Sequence, residues 1–282
     1  MARRNIFEIM TDTFDLQTEI SRLYKLSAKL KTISLYREIY TLRDFVAAEG
    51  FSTWHNRGHC LDLDDYLSTL NYGQLWESAY SDENSLLTLI EIIYNLWYIA
   101  ENRINRSFGT IHGNVNYTLI KKLMDDCLAH YNYKALYFHD LEQLIVIENK
   151  PEATAVAEIA DQNIGHKVLR YNHYMLKGDL HAKKDILLAM GADLEPKRKQ
   201  LKEIDKDLED SIFYILNNLN LRHNNESVGD KNYRQAVVDM DDDTLENWYD
   251  ELYQMMLLAY LQLDQIERSS KVKALKQLVT PK

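Results

Sequence analysis

The stretch ILNNLNLRHNN, Ile215 to Asn225, runs an amphipathic helix into an arginine, a histidine and two asparagines. These residue types suit work on an anion. A guanidinium neutralises phosphate, an imidazole near neutrality moves protons, and amides orient a substrate. Arg222 and His223 are therefore the candidate catalytic pair, with Asn218, Asn224 and Asn225 as candidate ligand-binding residues. Leu201, Ile204, Leu208, Ile212, Ile215 and Leu219 form a seam at helical spacing over 197–222, and Arg222 continues it at the mouth of the bundle. Asn218 lies four residues earlier on the same side. The same residues would also make a helix end, because cations favour the negative end of the dipole and Asn closes helices in the left-handed conformation. Site and cap both stand as readings.

A second constellation lies upstream. WHNRGHC sets His55 and His59 four apart, with Asp62, Asp64 and Asp65 behind them, and YFHD adds His139 and Asp140. Histidine and aspartate together can ligate a divalent metal and activate its water. His55, His59, His139 and Asp140 form this alternative metal set, whereas the leading reading needs no metal and no cofactor. Gly58 weakens any helix that would carry both histidines on one face. No GxSxG and no GxxxxGK[ST] is present.

The elements that must hold these residues read as helices. Only 9 Gly and 3 Pro occur in 282 residues, with 46% apolar residues, so turns are few and core material is ample. The expected fold is all-α, two packed helical bundles with no significant sheet. Helical periodicity covers 13–49, closed by Gly50, and then 82–100, 115–131 and 134–148. Pro151 suits the first turn of a new helix with Asn149 as its cap, which places the boundary between bundles 1–150 and 151–282. The last helix is expected from Thr244 to about Arg268, with Leu245, Trp248, Leu252, Met255, Ala259 and Leu263 on one face.

The net charge of −10 disfavours nucleic acid except at a local basic face. One such stretch exists: residues 167–206 hold ten Lys/Arg against six Asp/Glu. Cys60 and Cys127 show no metal-site spacing and read as reduced thiols. The most apolar run, SLLTLIEIIYNLWYIA, contains Glu91 and Asn95 and is too short to span a membrane. A cytoplasmic protein is expected.

The LNLRHNN turn between helices resembles HEPN-type helical proteins of prokaryotic toxin and abortive-infection systems. That resemblance covers residues 151–268 and implies a metal-independent ribonuclease with a site shared across a homodimer, RNA as ligand, and Arg222 and His223 at the scissile phosphate. The family spacing, Arg followed by His four to six residues on, occurs here in NRSFGTIH, Arg106 to His112, whereas Arg222 and His223 are adjacent. The histidine set looks like pieces of an HD-type metal phosphohydrolase. The third reading is a non-catalytic helical module that binds a protein partner.

Overall fold

The computed structural model describes residues 14–35, 37–69, 82–106 and 117–279. They belong to two compact units, Met1–Glu148 and Asn149–Lys282. The fold is mainly helical, but it contains two antiparallel two-stranded hairpins, both in the first unit. The expectation of a sheet-free chain is corrected there. The arrangement within each unit follows from its caps and its β-branched runs.

In the first unit, α1 (Leu16–Tyr24) opens where Asp15 accepts a hydrogen bond from the Thr18 N–H at 3.0 Å. After one π turn, the expected helix over 13–49 gives way to β1 (Lys31–Leu35) and β2 (Glu38–Thr41), turned through Arg37 at φ 72°. Thr32, Ile33 and Leu35 are buried, and β-branched side chains suit a pleated surface better than a helix. The segment then returns to helix in α2 (Leu42–Phe45). Gly50 has φ −114°, so it does not act as a left-handed stop; a Cβ there would meet Ile99 Cγ2 at 2.6 Å.

Beyond α3 (Leu63–Thr69), helix α4 (Glu83–Arg106) is the centre of this unit, buried on most sides by Leu86, Leu89, Ile90, Ile93, Trp97 and Ala100. Two half-buried polar residues of α4, Glu91 and Asn95, dock the second hairpin, which follows α5 (Tyr117–His130). That hairpin is β3 (Tyr133–Phe138) with β4 (Gln143–Glu148), paired from Tyr133–Glu148 to Phe138–Gln143. Asn95 exchanges two hydrogen bonds with the Leu144 backbone, and Glu91 Oε2 accepts from the Val146 N–H at 2.6 Å. Residues 134–148 therefore form a strand, a short turn at His139–Leu141 and a second strand where a helix was expected. Among the described residues no helix is long and apolar enough to cross a membrane.

The second unit is helical throughout: α6 (Pro151–Ile159), α7 (Gln162–Tyr171), α8 (Leu180–Leu194), α9 (Arg198–Ile204), α10 (Lys206–Asn218), α11 (Gln235–Val238) and α12 (Asp242–Val279). The residue before Pro151 that caps α6 is Lys150, without a side-chain bond, rather than Asn149. The expected single helix over 197–222 is broken at Asp205, whose extended backbone frees its carboxylate to cap α10 through the Leu208 N–H at 3.0 Å. Helix α12 reaches eleven residues past Arg268, and at 38 residues it is about 57 Å long. Its core side is led by Leu245, Tyr249, Leu252, Tyr253, Met256 and Tyr260, and Trp248 lies outside that side.

A polar network ties α7, α8 and α12 together inside this unit. The buried Lys183 ammonium sits 2.7 Å from Glu246 and 2.6 Å from Asp250. Tyr171 donates to Asp250 and stacks on Tyr253 at 4.0 Å, while Asn172 donates to the Tyr253 hydroxyl. Every charge has a partner, as a low-dielectric interior requires.

Candidate functional site

The LNLRHNN turn begins where α10 ends. Asn220 takes the left-handed conformation (φ 53°), which turns the chain out of the helix before Arg222 is reached. Arg222 therefore does not continue the seam; its backbone N–H instead donates to the Leu216 carbonyl at 2.9 Å. Its guanidinium turns back over the helices, pairing with Glu195 at 2.5 Å and donating to the Gly191 carbonyl at 3.1 Å. It also lies 5.2 Å from the centroid of the Phe213 ring, over which Arg198 is placed at 4.2 Å. Arg198 pairs in turn with Glu195 and with the fully buried Glu209. Two arginines and two glutamates cluster around one aromatic ring, Lys202 joins them at 3.5 Å from Glu209, and the Arg222 side chain is only 23% exposed.

The other members of the motif part company. His223 points to solvent. Asn224 Oδ1 accepts from the N–H groups of Glu226 and Ser227, an Asx turn. Asn225 is fully buried and holds the loop by three bonds: its Oδ1 accepts from the Asn220 N–H, and its Nδ2 donates to the carbonyls of Asn217 and Asn232. The Asn225 carbonyl then receives the Arg234 N–H at 2.8 Å. This amide is the keystone that lays residues 234–240 across the end of α10. Asn218 alone faces an open concavity, where its Oδ1 accepts from Arg234 Nε at 3.2 Å.

That concavity is a groove of about 650 Å³ between α10, α11 and α12. Ile215, Leu219, Val237, Met240 and Met255 line its floor and walls. Tyr214 and Trp248 stand on it at 66% and 43% exposure, large apolar areas left in water. Asp210 and Arg234 supply charge within it, and Asp239, Asp241, Asp242 and Asp243 are exposed beside Met240. Clustered aromatic and methionine side chains with a polar rim make the usual anatomy of a protein-binding surface. The sequence reading assigned Trp248 and Met255 to the core face of α12; Met255 does pack partly against the core, but Trp248 does not, and Tyr249, Tyr253, Met256 and Tyr260 at i, i+4, i+7 and i+11 were the signal that the core side is centred elsewhere.

No protein-family model, curated protein or solved structure matches this chain. Its function must be read from its own geometry.

The two segments that carry the histidine set adjoin. Asn56 donates to the Leu141 carbonyl at 2.8 Å, so the WHNR segment does reach the hairpin turn that carries His139. His55 is 73% exposed and lies 3.8 Å from Glu142 Oε2. His59 and His139 are exposed, and the His139 ring stands edge-on to Tyr137. The Asp140 side chain lies outside the described residues, as do residues 107–116 with His112. Among the described residues no three His, Cys, Asp or Glu side chains converge as a metal site. A smaller hollow of about 280 Å³ beside His55 is lined by Trp54, Tyr98, Asn102, Arg103 and Glu142. Cys60 and Cys127 are free, and burial pushes the Cys127 thiol up to about 12, so it stays protonated and unreactive.

Proposed function

We propose that this chain is a non-catalytic helical interaction module that docks a cationic, amphipathic helix of a protein partner in the groove of its second unit. One observation carries the reading: Tyr214 and Trp248 stand exposed over a 650 Å³ apolar groove bordered by four exposed aspartates. An amphipathic helix laid in such a groove places its apolar side on Met240 and Met255 and its lysines against the aspartates. The alternative, a HEPN-like protein acting on RNA through Arg222 and His223, is less well supported by this geometry. The Arg222 charge is already balanced by Glu195, and His223 diverges from it.

Two assays separate the readings. A fluorescently labelled synthetic Leu/Lys helix of about 18 residues is titrated against dilute protein and followed by anisotropy. Saturable binding that weakens at least about tenfold in Met240→Arg, which both fills the groove and repels the peptide, supports the module. Equal binding by both proteins sinks it. Chelator-resistant cleavage of a mixed RNA pool that Arg222→Ala lacks would restore the nuclease reading.

A further inference from the structure

We propose that the open side of α12 is a self-association seam, on which the α12 of a second copy of this chain lies antiparallel. This rests on the reading of the groove as a docking surface and names its occupant. Two independent observations on one helix lead to it.

The first is spacing. Positions 248, 251, 255, 258, 262, 265, 269, 272, 276 and 279 alternate by three and four residues, the repeat that keeps one stripe facing a partner helix. All are exposed or half-buried, and from 270 to 279 every side chain is exposed. Trp248 and Met255, which begin the stripe, form one wall of the groove. Most core-facing positions of α12 follow a separate stripe; of the seam, Met255 also packs partly against the core and Gln262 donates to Asp205 at 3.3 Å. A helix continuing for ten residues with all its side chains exposed gives the stripe's apolar Val272 and Val279 no burial within the chain.

The second is charge. Outside the Lys183 network the start of α12 is acidic, with Asp242, Asp243 and Glu251, while beyond Glu267 its charges are Arg268 and Lys271, paired with Asp264 and Glu267, and Lys273 and Lys276. A helix acidic at one end and basic at the other is complementary to itself only when the copies run antiparallel. Parallel copies would set Lys276 against Lys276 and stack the helix dipoles. An acidic chain with a basic, apolar-striped helix end thus carries both halves of the interaction proposed above: the groove and the cationic helix that fits it.

The stripe also fixes the register. Centring the two-fold axis between 263 and 264 places Met255 opposite Val272, Leu258 opposite Ser269, and Gln262 opposite Gln265, each pair made twice. Glu251 then meets Lys276, and Val279 reaches Trp248 at the groove mouth. Ser269 is the small residue of its pair, and it borders a hollow of about 320 Å³ with Ile204 and Ile266 that receives the partner's Leu258. The overlap, from 248 to 279, is about 47 Å long. The glutamine layer at the centre favours this single register over slipped ones, as buried polar layers do in helix pairs.

The test is a charge exchange on the full-length protein, read by sedimentation equilibrium from about 1 to 100 µM. The wild type is expected to double its mass over this range. Glu251→Lys and Lys276→Glu alone each turn two attractions into two repulsions and should weaken association at least about tenfold. The double variant Glu251→Lys/Lys276→Glu should recover the wild-type constant. A monomeric wild type, or a double variant as weak as the singles, overturns the seam. Circular dichroism keeps folding in view, since both residues are exposed and neither variant touches the core. The Leu/Lys peptide distinguishes this failure from failure of the groove: a wild-type monomer that binds the peptide loses the second copy as occupant but keeps the docking surface. A protein that neither dimerises nor binds it loses both.

Discussion

Replacing Arg222 with alanine separates an anchor from a catalyst. In this structure the guanidinium makes an ion pair with Glu195, donates to the Gly191 carbonyl and lies over Phe213. The Glu195 side chain is 45% exposed, so the ion pair contributes no more than about 1 kcal/mol. The charged hydrogen bond adds about 1 kcal/mol, lowered because the Gly191 carbonyl also accepts from the Glu195 N–H within the helix. The ring contact adds about 0.5 kcal/mol. Arg222→Ala should therefore cost about 2 kcal/mol, or roughly 6 °C in the melting of a unit this size. Lysine at 222 keeps the charge but loses the planar fork, so Arg222→Lys should cost about half as much. Calorimetry of the full chain gives these values. A cycle with Glu195→Ala should show coupling of about 0.5–1 kcal/mol, because the second change removes a partner already lost. If Arg222→Ala melts with the wild type, or its cost is independent of Glu195, the guanidinium is no anchor and stands free for an anion.

The charged groups of the second unit give two more expectations. Lys183→Met leaves Glu246 and Asp250 facing each other without their cation, and should cost about 3 kcal/mol by denaturant unfolding; a neutral or stabilised variant would show that the ion triad contributes nothing. The acid limb of stability is set by carboxylates held below their ordinary range: Asp205 chiefly by the Leu208 N–H, Asp241 by Thr244, and Glu246, despite burial working the other way, by Lys183 and the Gly178 N–H. Each is more acidic folded than unfolded, so its stabilisation is complete above the ordinary values of 3.8 and 4.5 and is lost as pH falls through the lowered ones. Melting temperature should thus stay level from neutrality to about pH 5 and fall only below it, and Asp205→Asn should flatten part of that fall.

In the second unit the helix starts at Pro151 and near Thr244 were legible, whereas Asp205, whose carboxylate accepts from a first-turn N–H and so splits the helix expected over 197–222, was not. Nor were the hairpins, for a specific reason. In KALYFHDLEQLIVIE the apolar residues satisfy a period near 3.6 about as well as a period of two, and the deciding fact is tertiary. Glu91 and Asn95, half-buried partners on α4, supply hydrogen bonds to backbone groups that only an extended strand leaves available. The Ile145, Val146, Ile147 run was the local sign that could have tipped the balance. At the candidate site the residue types were visible but their directions were not. One left-handed residue, Asn220, rotates everything after it, and no periodicity survives such a turn. Trp248 shows the converse error, a large apolar side chain assigned to the core because of its chemistry when its position on α12 left it outside.

The network around Lys183 also bears on how this chain is made. Tyr171, Asn172 and Lys183 all find their partners on α12, at separations of 79, 81 and 67 residues. A ribosome extends a chain at about 5–20 residues per second, so α6 to α10 leave the exit tunnel seconds before the strand of sequence that completes them. Until then Lys183, Tyr171 and Asn172 lack the partners that α12 brings. Cooperative closure of the unit is therefore tied to the arrival of a single late helix, and a stall before residue 242 would present chaperones with a half-assembled bundle.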